Sequence, residues 1–141
     1  MVIVSGQFAF GQDPFMFQIG EEEGLPSMTT YKIVQDQKGF IWIGTENGLC
    51  RYDGKEVKIY ENSQLIDNEI LDLQQDDFGR IWIKNLAGQL GYVQNDSIHI
   101  VDLMDGVFVF EFRIDNTGLW VLSKLQEVDN IAQPARRLLF L

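Results

Sequence analysis

Gln35-Asp36-Gln37-Lys38-Gly39-Phe40-Ile41-Trp42-Ile43 returns forty residues later as Gln75-Asp76-Asp77-Phe78-Gly79-Arg80-Ile81-Trp82-Ile83. Asp36, Gly39, Trp42, Gly48 and Tyr52 each meet their own residue type forty positions on, at Asp76, Gly79, Trp82, Gly88 and Tyr92. A third, shortened copy runs Asp115-Asn116-Thr117-Gly118-Leu119-Trp120-Val121. Repeats of about 40–50 residues built from short strands are the signature of propeller blades. Such a unit is a slice of a binding surface and needs its neighbours for stability.

Working outward, the first unit divides into four strands. Tyr31 to Gln35 is the first, followed by an Asp36-Gln37-Lys38-Gly39 turn with Asp at its first place and Gly at its last, as a type I turn prefers. Phe40 to Thr45 is the second strand and Leu49 to Tyr52 the third, with Asn47-Gly48 expected as a type I′ hairpin turn between them. Asp53-Gly54 is the next expected hairpin turn, and Lys55 to Tyr60 the fourth strand. The second unit follows this plan from Glu69 to Val101, with Asn95-Asp96 as its last turn and a one-residue slip expected at that hairpin, so that Ile98 and Ile100 match Val57 and Ile59.

The second strand predicts how the units pack. Phe40, Trp42 and Gly44 point one way and Ile41 and Ile43 the other, so both faces are apolar and both need cover. The fold class is therefore all-β: four-stranded antiparallel meanders stacked as propeller blades, two complete and a third partial, in an incomplete ring. The expected divisions are a signal-peptide remnant at 1–11, a leader at 12–28, blades at 29–64 and 65–103, and a partial blade at 104–141. Propellers hold about 4–8 blades, so the chain reads as an N-terminal piece of a longer protein. Ala9-x-Gly11 before Gln12 fits a signal-peptidase site, although the segment lacks a basic n-region and is also compatible with a buried first strand.

Composition narrows the partners. Asp+Glu number 21 against Lys+Arg 11, a net charge of −10, which repels nucleic acid and anionic membrane surfaces. One cysteine, Cys50, excludes an internal disulfide and a cysteine-rich zinc site.

The stretch from Gly39 to Gly54, Gly-Phe-Ile-Trp-Ile-Gly-Thr-Glu-Asn-Gly-Leu-Cys-Arg-Tyr-Asp-Gly, closely resembles the two-component regulator propeller repeat. That repeat runs roughly D-x-x-G-x-(I/L)-W-(I/V)-G-T-x-x-G-L-x-x-(Y/F)-(D/N)-G. Gly24-Leu25-Pro26-Ser27 resembles the family's usual lead into its first blade. The second unit departs by placing Lys84-Asn85 where the pattern has Gly-Thr, and the third loses the pattern after Lys124. The resemblance implies the periplasmic sensor part of a bacterial inner-membrane histidine kinase. A β-sandwich domain, a membrane helix and a kinase would lie downstream, the membrane being met only through those segments. It further implies an unidentified signal ligand, with oligosaccharides sensed by some members, and a homodimeric full-length receptor.

Individual residues read mainly as structure. Trp42, Trp82 and Trp120 are expected between blades rather than as sugar platforms. Asp36, Asp76 and Asp115 are expected at turns rather than on a metal, and Glu21, Glu22 and Glu23 in solvent. His99, the single histidine, falls outward on an outer strand, and Cys50 lacks an activating base. No G-x-x-x-x-G-K-S/T, H-E-x-x-H or G-x-S-x-G occurs. No catalytic residue, metal ligand or cofactor is assigned, and the ligand-binding residues are unknown. Two rivals remain: a secreted binding or scaffold propeller without a kinase, and a propeller lyase or hydrolase. The latter needs a His or Glu on several innermost strands, where this chain offers Lys32, Gln35, Asp72 and Gln74.

Overall fold

The computed structural model describes residues 18–103, 106–115, 117–125 and 136–140. The segment read as a signal-peptide remnant lies outside them. The first sheet holds β1 (Thr30–Gln35), β2 (Ile41–Thr45), β3 (Gly48–Tyr52) and β4 (Val57–Tyr60), antiparallel and in chain order. The second repeats this with β5 (Ile70–Gln75), β6 (Ile81–Asn85), β7 (Leu90–Gln94) and β8 (Ser97–Ile100). A third sheet is three-stranded, β9 (Val107–Asp115), β10 (Gly118–Leu125) and β11 (Arg136–Phe140), with β10 in the middle. The 136–140 run, unassigned by the repeat, thus pairs with β10, Trp120 opposite Phe140 through Lys124 opposite Arg136.

The sheets stack through the two-faced second strands. Trp42 packs with Ile70, Leu73, Ile81 and Ile83, joining the first sheet to the second. Trp82 packs with Val109, Phe112, Leu119 and Val121, joining the second to the third. Ile81 and Ile83 are each 1% exposed on one face of β6 while Trp82 is buried on the other. Each fully buried side chain of this kind contributes roughly 1.5–3 kcal/mol. Trp120, by contrast, is half-buried, because Leu119 and Val121 take the face of β10 that meets the second sheet.

The free face of the first sheet is partly covered by the segment before it. Leu25 packs on Ile43 and Cys50, with Ile19 and Val57 at the edge. Glu21–Glu23 form a single 3-10 turn, exposed as expected, with Glu23 Oε2 accepting from Gly20 N at 2.7 Å. Gly24 then reverses the chain at φ 95. The connector is therefore polar only on its outer side.

Two of the expected turns are corrected and a third holds. Between β2 and β3 the two-residue loop is Glu46-Asn47, with Thr45 paired to Gly48 and only Gly48 at positive φ. It is not a type I′ turn on Asn47-Gly48, because Thr45 Oγ1 accepts from Asn47 N at 3.2 Å and donates to Gly48 O at 2.9 Å, which fixes the register. Asp53-Gly54 likewise is no two-residue turn. Tyr52 pairs with Val57 around a four-residue loop in which Asp53 Oδ1 accepts from the N–H groups of Lys55 and Glu56. Asn95-Asp96, at φ 50 and 64 between paired Gln94 and Ser97, has the positive φ at both places that a type I′ turn requires.

The slip also lies elsewhere. Trp42 pairs with Arg51 but Trp82 pairs with Tyr92, so Tyr92 stands where Arg51 does, not where Tyr52 does. The extra residue enters in the loop after Asn85, one hairpin earlier than expected, and from there the units are offset by forty-one. Ile98 and Ile100 still match Val57 and Ile59.

One irregularity recurs in all three sheets. The first strand skips a residue against its partner at Tyr31, at Leu71 and at Phe110. A bulge at the same register in successive sheets twists each first strand and turns one side chain out of the ladder. These first strands also lie beside one another, β1 next to β5 and β5 next to β9.

Candidate functional site

Three turns converge at one end of the first two sheets: Asp36–Gly39, Asp76–Gly79 and Asn95-Asp96. Each Asp-led turn is held by its own carboxylate. Asp36 Oδ1 accepts from the N–H groups of Lys38 and Phe40, both at 2.9 Å. Asp76 Oδ1 does the same for Phe78 and Arg80, at 3.0 and 2.9 Å. The second oxygen of each takes the indole N–H of Trp42 or Trp82 at 2.8 Å. The turn role of these aspartates and the core role of these two tryptophans therefore both hold. What the sequence reading missed is the bond that joins them. In the third sheet Trp120 Nε1 donates to Thr117 Oγ1 at 3.2 Å, and Asp115, held below the ordinary carboxylate range by Thr117 foremost, is also bonded by Trp120.

A cleft of about 520 Å³ opens between the turns. Gln37 and Lys38 form one lip, Phe78 the other, and Arg51, Asn95 and Asp96 the floor and side. Gln37 N donates to Gln75 Oε1 at 3.0 Å, tying the lip to the second sheet. Arg51 lies 4.5 Å from the Phe40 ring centroid and 5.6 Å from that of Trp42, with Nη1 3.3 Å from Asp96 Oδ1. Lys58 and the Tyr60 hydroxyl donate to the same carboxylate. These bonds, Lys58's and Tyr60's foremost, hold Asp96 below the usual carboxylate range. Desolvation, followed by the bond to Asp96, pushes the Tyr60 hydroxyl well above its ordinary value.

Arg80 repeats the stacking in the second sheet, 5.4 Å from Phe78, 5.1 Å from Trp82 and 5.2 Å from Tyr92. Its Nε donates to Asp76. Burial opposes the Asp76 charge most, but the bonds from Trp82 and Arg80 outweigh it and the carboxyl titrates below the ordinary range. Phe78 is 84% exposed, a bare ring on a polar turn. It also borders a second cleft of about 280 Å³ between the second and third sheets. The residue was not singled out by sequence; the available signal was an aromatic ring at the turn position that Lys38 holds in the first copy.

The other sequence candidates fall away from this cleft. His99 is exposed and stacks on Tyr92 at 5.2 Å. Cys50 is fully buried, and desolvation pushes its thiol up to about 11. On the first strands, Lys32 pairs with Asp72 at 3.4 Å, while Gln74 bridges to the third sheet through Phe112 O at 2.8 Å and Ile114 N at 3.0 Å. Among the described residues no group of three or more His, Cys, Asp or Glu is placed to hold a metal, and no helix is long and apolar enough to cross a membrane. Amides, the carboxylates of Asp36, Asp77 and Asp96, guanidinium groups and aromatic faces equip the cleft to bind.

Residues 24–47 match the family model of the two component regulator propeller. That stretch carries the pattern of one such repeat. A 41-residue stretch carrying 29% of this chain is 42% identical to Histidine kinase P4 of Formosa agariphila, of which it covers 3%. The folded repeats superpose on the crystal structure of the extracellular domain of BT3049 from B. thetaiotaomicron, described as a hybrid two component system. The TM-score is 0.64 at 25% identity, over 75% of this chain and 17% of that one. The corresponding domain of BT4673 from the same organism gives 0.63 at 18% identity, over 83% and 17%, a likeness of fold alone. The chain thus spans a small part of the length of each relative, and its stacked propeller repeats are those of an all-β, unclosed set of blades.

Proposed function

We propose that this chain is part of the ligand-sensing, extracytoplasmic propeller of an inner-membrane sensor histidine kinase in a two-component system. The observation that carries the reading is the propeller repeat at residues 24–47, in a fold shared with the extracellular domain of a two-component protein. The role is binding and not catalysis. The cleft between the first two sheets is where the signal molecule docks, with Phe78 offering a flat apolar face and Gln37, Asn95 and Asp96 offering hydrogen bonds. A sugar, with one C–H face and a rim of hydroxyls, suits that combination. The full-length receptor works as a homodimer, and the ligand acts by favouring one arrangement of the two subunits over the other through unequal affinity.

The test uses the full-length receptor in membranes, with phosphoryl transfer to its response regulator as readout. Oligosaccharide addition is expected to change transfer, and Phe78→Ala to move the dose response to higher concentration without unfolding the propeller. A receptor whose dose response ignores Phe78→Ala contradicts the cleft assignment. A full-length chain with no kinase activity contradicts the sensor reading itself.

A further inference from the structure

The second repeat places a lysine where the first has glycine, and the structure gives that exchange a setting. Gly44 lies so close to the neighbouring sheet that an added Cβ would come within 2.5 Å of Ile70 O. The equivalent register of β6 holds Lys84, paired with Asp72 as Gly44 is paired with Lys32. In β10 the same place is Leu122, paired with Glu111. An apolar side chain therefore serves this register, and packing does not require an ammonium group there.

Lys84 is only 8% exposed. Burial lowers its pKa, with the charge of Asp72 opposing. Asp72 is already engaged, its Oδ1 3.4 Å from Lys32 Nζ. Among the described residues none forms an ion pair with Lys84. Lys32 on β1 thus engages Asp72 on β5, while Lys84, opposite Asp72 on β6, adds a second ammonium group, so the three side chains together carry one net positive charge. The stem of Lys84 is buried while its ammonium tip still reaches solvent, where an anionic group of a ligand would meet it.

We propose that Lys84, together with Lys32 and Asp72, forms a binding site for one oxyanion group, a carboxylate or a sulfate, of a ligand seated against the first strands of the blades. This site is separate from the cleft at Phe78 and stands whether or not the receptor signals through that cleft. Lys84 supplies the charge, Lys32 a second donor, and Asp72 keeps the two ammonium groups apart and oriented.

The test follows the side-chain NMR signals of Lys84 in the full chain during pH titration. Sodium acetate and sodium sulfate are compared with sodium chloride at matched ionic strength. One or both oxyanions are expected to move the Lys84 midpoint upward relative to chloride, acetate alone marking a carboxylate ligand and sulfate alone a sulfate ester. Lys84→Met is expected to weaken oxyanion binding about tenfold or more. A midpoint identical in all three salts overturns the proposal, and this holds even if Lys84→Met fails to fold. Equal oxyanion affinity in wild type and a folded Lys84→Met overturns it as well.

Discussion

Trp82 donates its indole N–H to Asp76 Oδ2 at 2.8 Å, and Asp76 is 5% exposed while doing so. The bond fastens the tip of a turn to the packing layer between two sheets. Trp42 and Asp36 form the same link in the first sheet. In each repeat one carboxylate closes the turn with one oxygen and orients the core indole with the other.

Replacing Asp76 by asparagine presents an amide to two donors, Trp82 Nε1 and Arg80 Nε. Urea unfolding is expected to show a loss of about 2–3 kcal/mol. The pH dependence carries a sign. The folded Asp76 pKa is depressed, so its contribution is complete above the unfolded value of about 3.9 and is lost as pH falls through the lower folded value. Asp76→Asn removes that part of the acid-side decline. Equal stability of the two proteins at pH 7 contradicts the assignment.

Asp96 combines a left-handed backbone, φ 64, with donors from Arg51, Lys58 and Tyr60. Asp96→Gly removes the bonds and keeps the turn; Asp96→Ala removes the bonds and strains the turn. Thermal unfolding is expected to rank wild type above Asp96→Gly and Asp96→Ala lowest, the last gap being about 1 kcal/mol. The reverse order of the two variants contradicts the turn geometry.

Gly44 has an ordinary extended backbone, so its requirement is space alone. Gly44→Ala puts a methyl against Ile70 O and is expected to lose about 1–3 kcal/mol on urea unfolding. A neutral Gly44→Ala means that the first two sheets do not meet as closely as described.

Much of this was legible because the signals were local. The Trp42 and Trp82 strands announced burial from both sides, and Asn95-Asp96 announced its turn. Asn47-Gly48 misled because Thr45, a neighbour, sets the register with its hydroxyl. The forty-residue spacing hid the offset after Asn85, since Tyr92 matches Tyr52 by type while pairing as Arg51 does. The cleft depends on contacts between sheets, such as Arg51 to Asp96 across forty-five positions, and no local pattern reports these. Asn85 shows why a departure from the repeat need not disturb it. Its side chain holds the loop through Asp67 O, Gln89 N and the Gln89 amide, as Thr45 holds its own.

Cys50 reports on the leader. Buried under Leu25 with its thiol pushed up to about 11, it is expected to resist aromatic disulfide reagents at pH 8 until unfolding. Leu25→Ala removes the cover, loses about 2–4 kcal/mol, and speeds labelling. Equal labelling rates in the two proteins contradict the leader's role as a lid on the first sheet.

The central claim is that these sheets are consecutive blades of one propeller, and a crystal structure of the whole protein tests it most directly. The prediction is that β1, β5 and β9 stand nearest a common axis, and that a further blade covers Ile33 and Ile59, which are 60% and 45% exposed here. Sheets folded face to face as a sandwich, or Ile33 and Ile59 still in solvent in the whole protein, would contradict it.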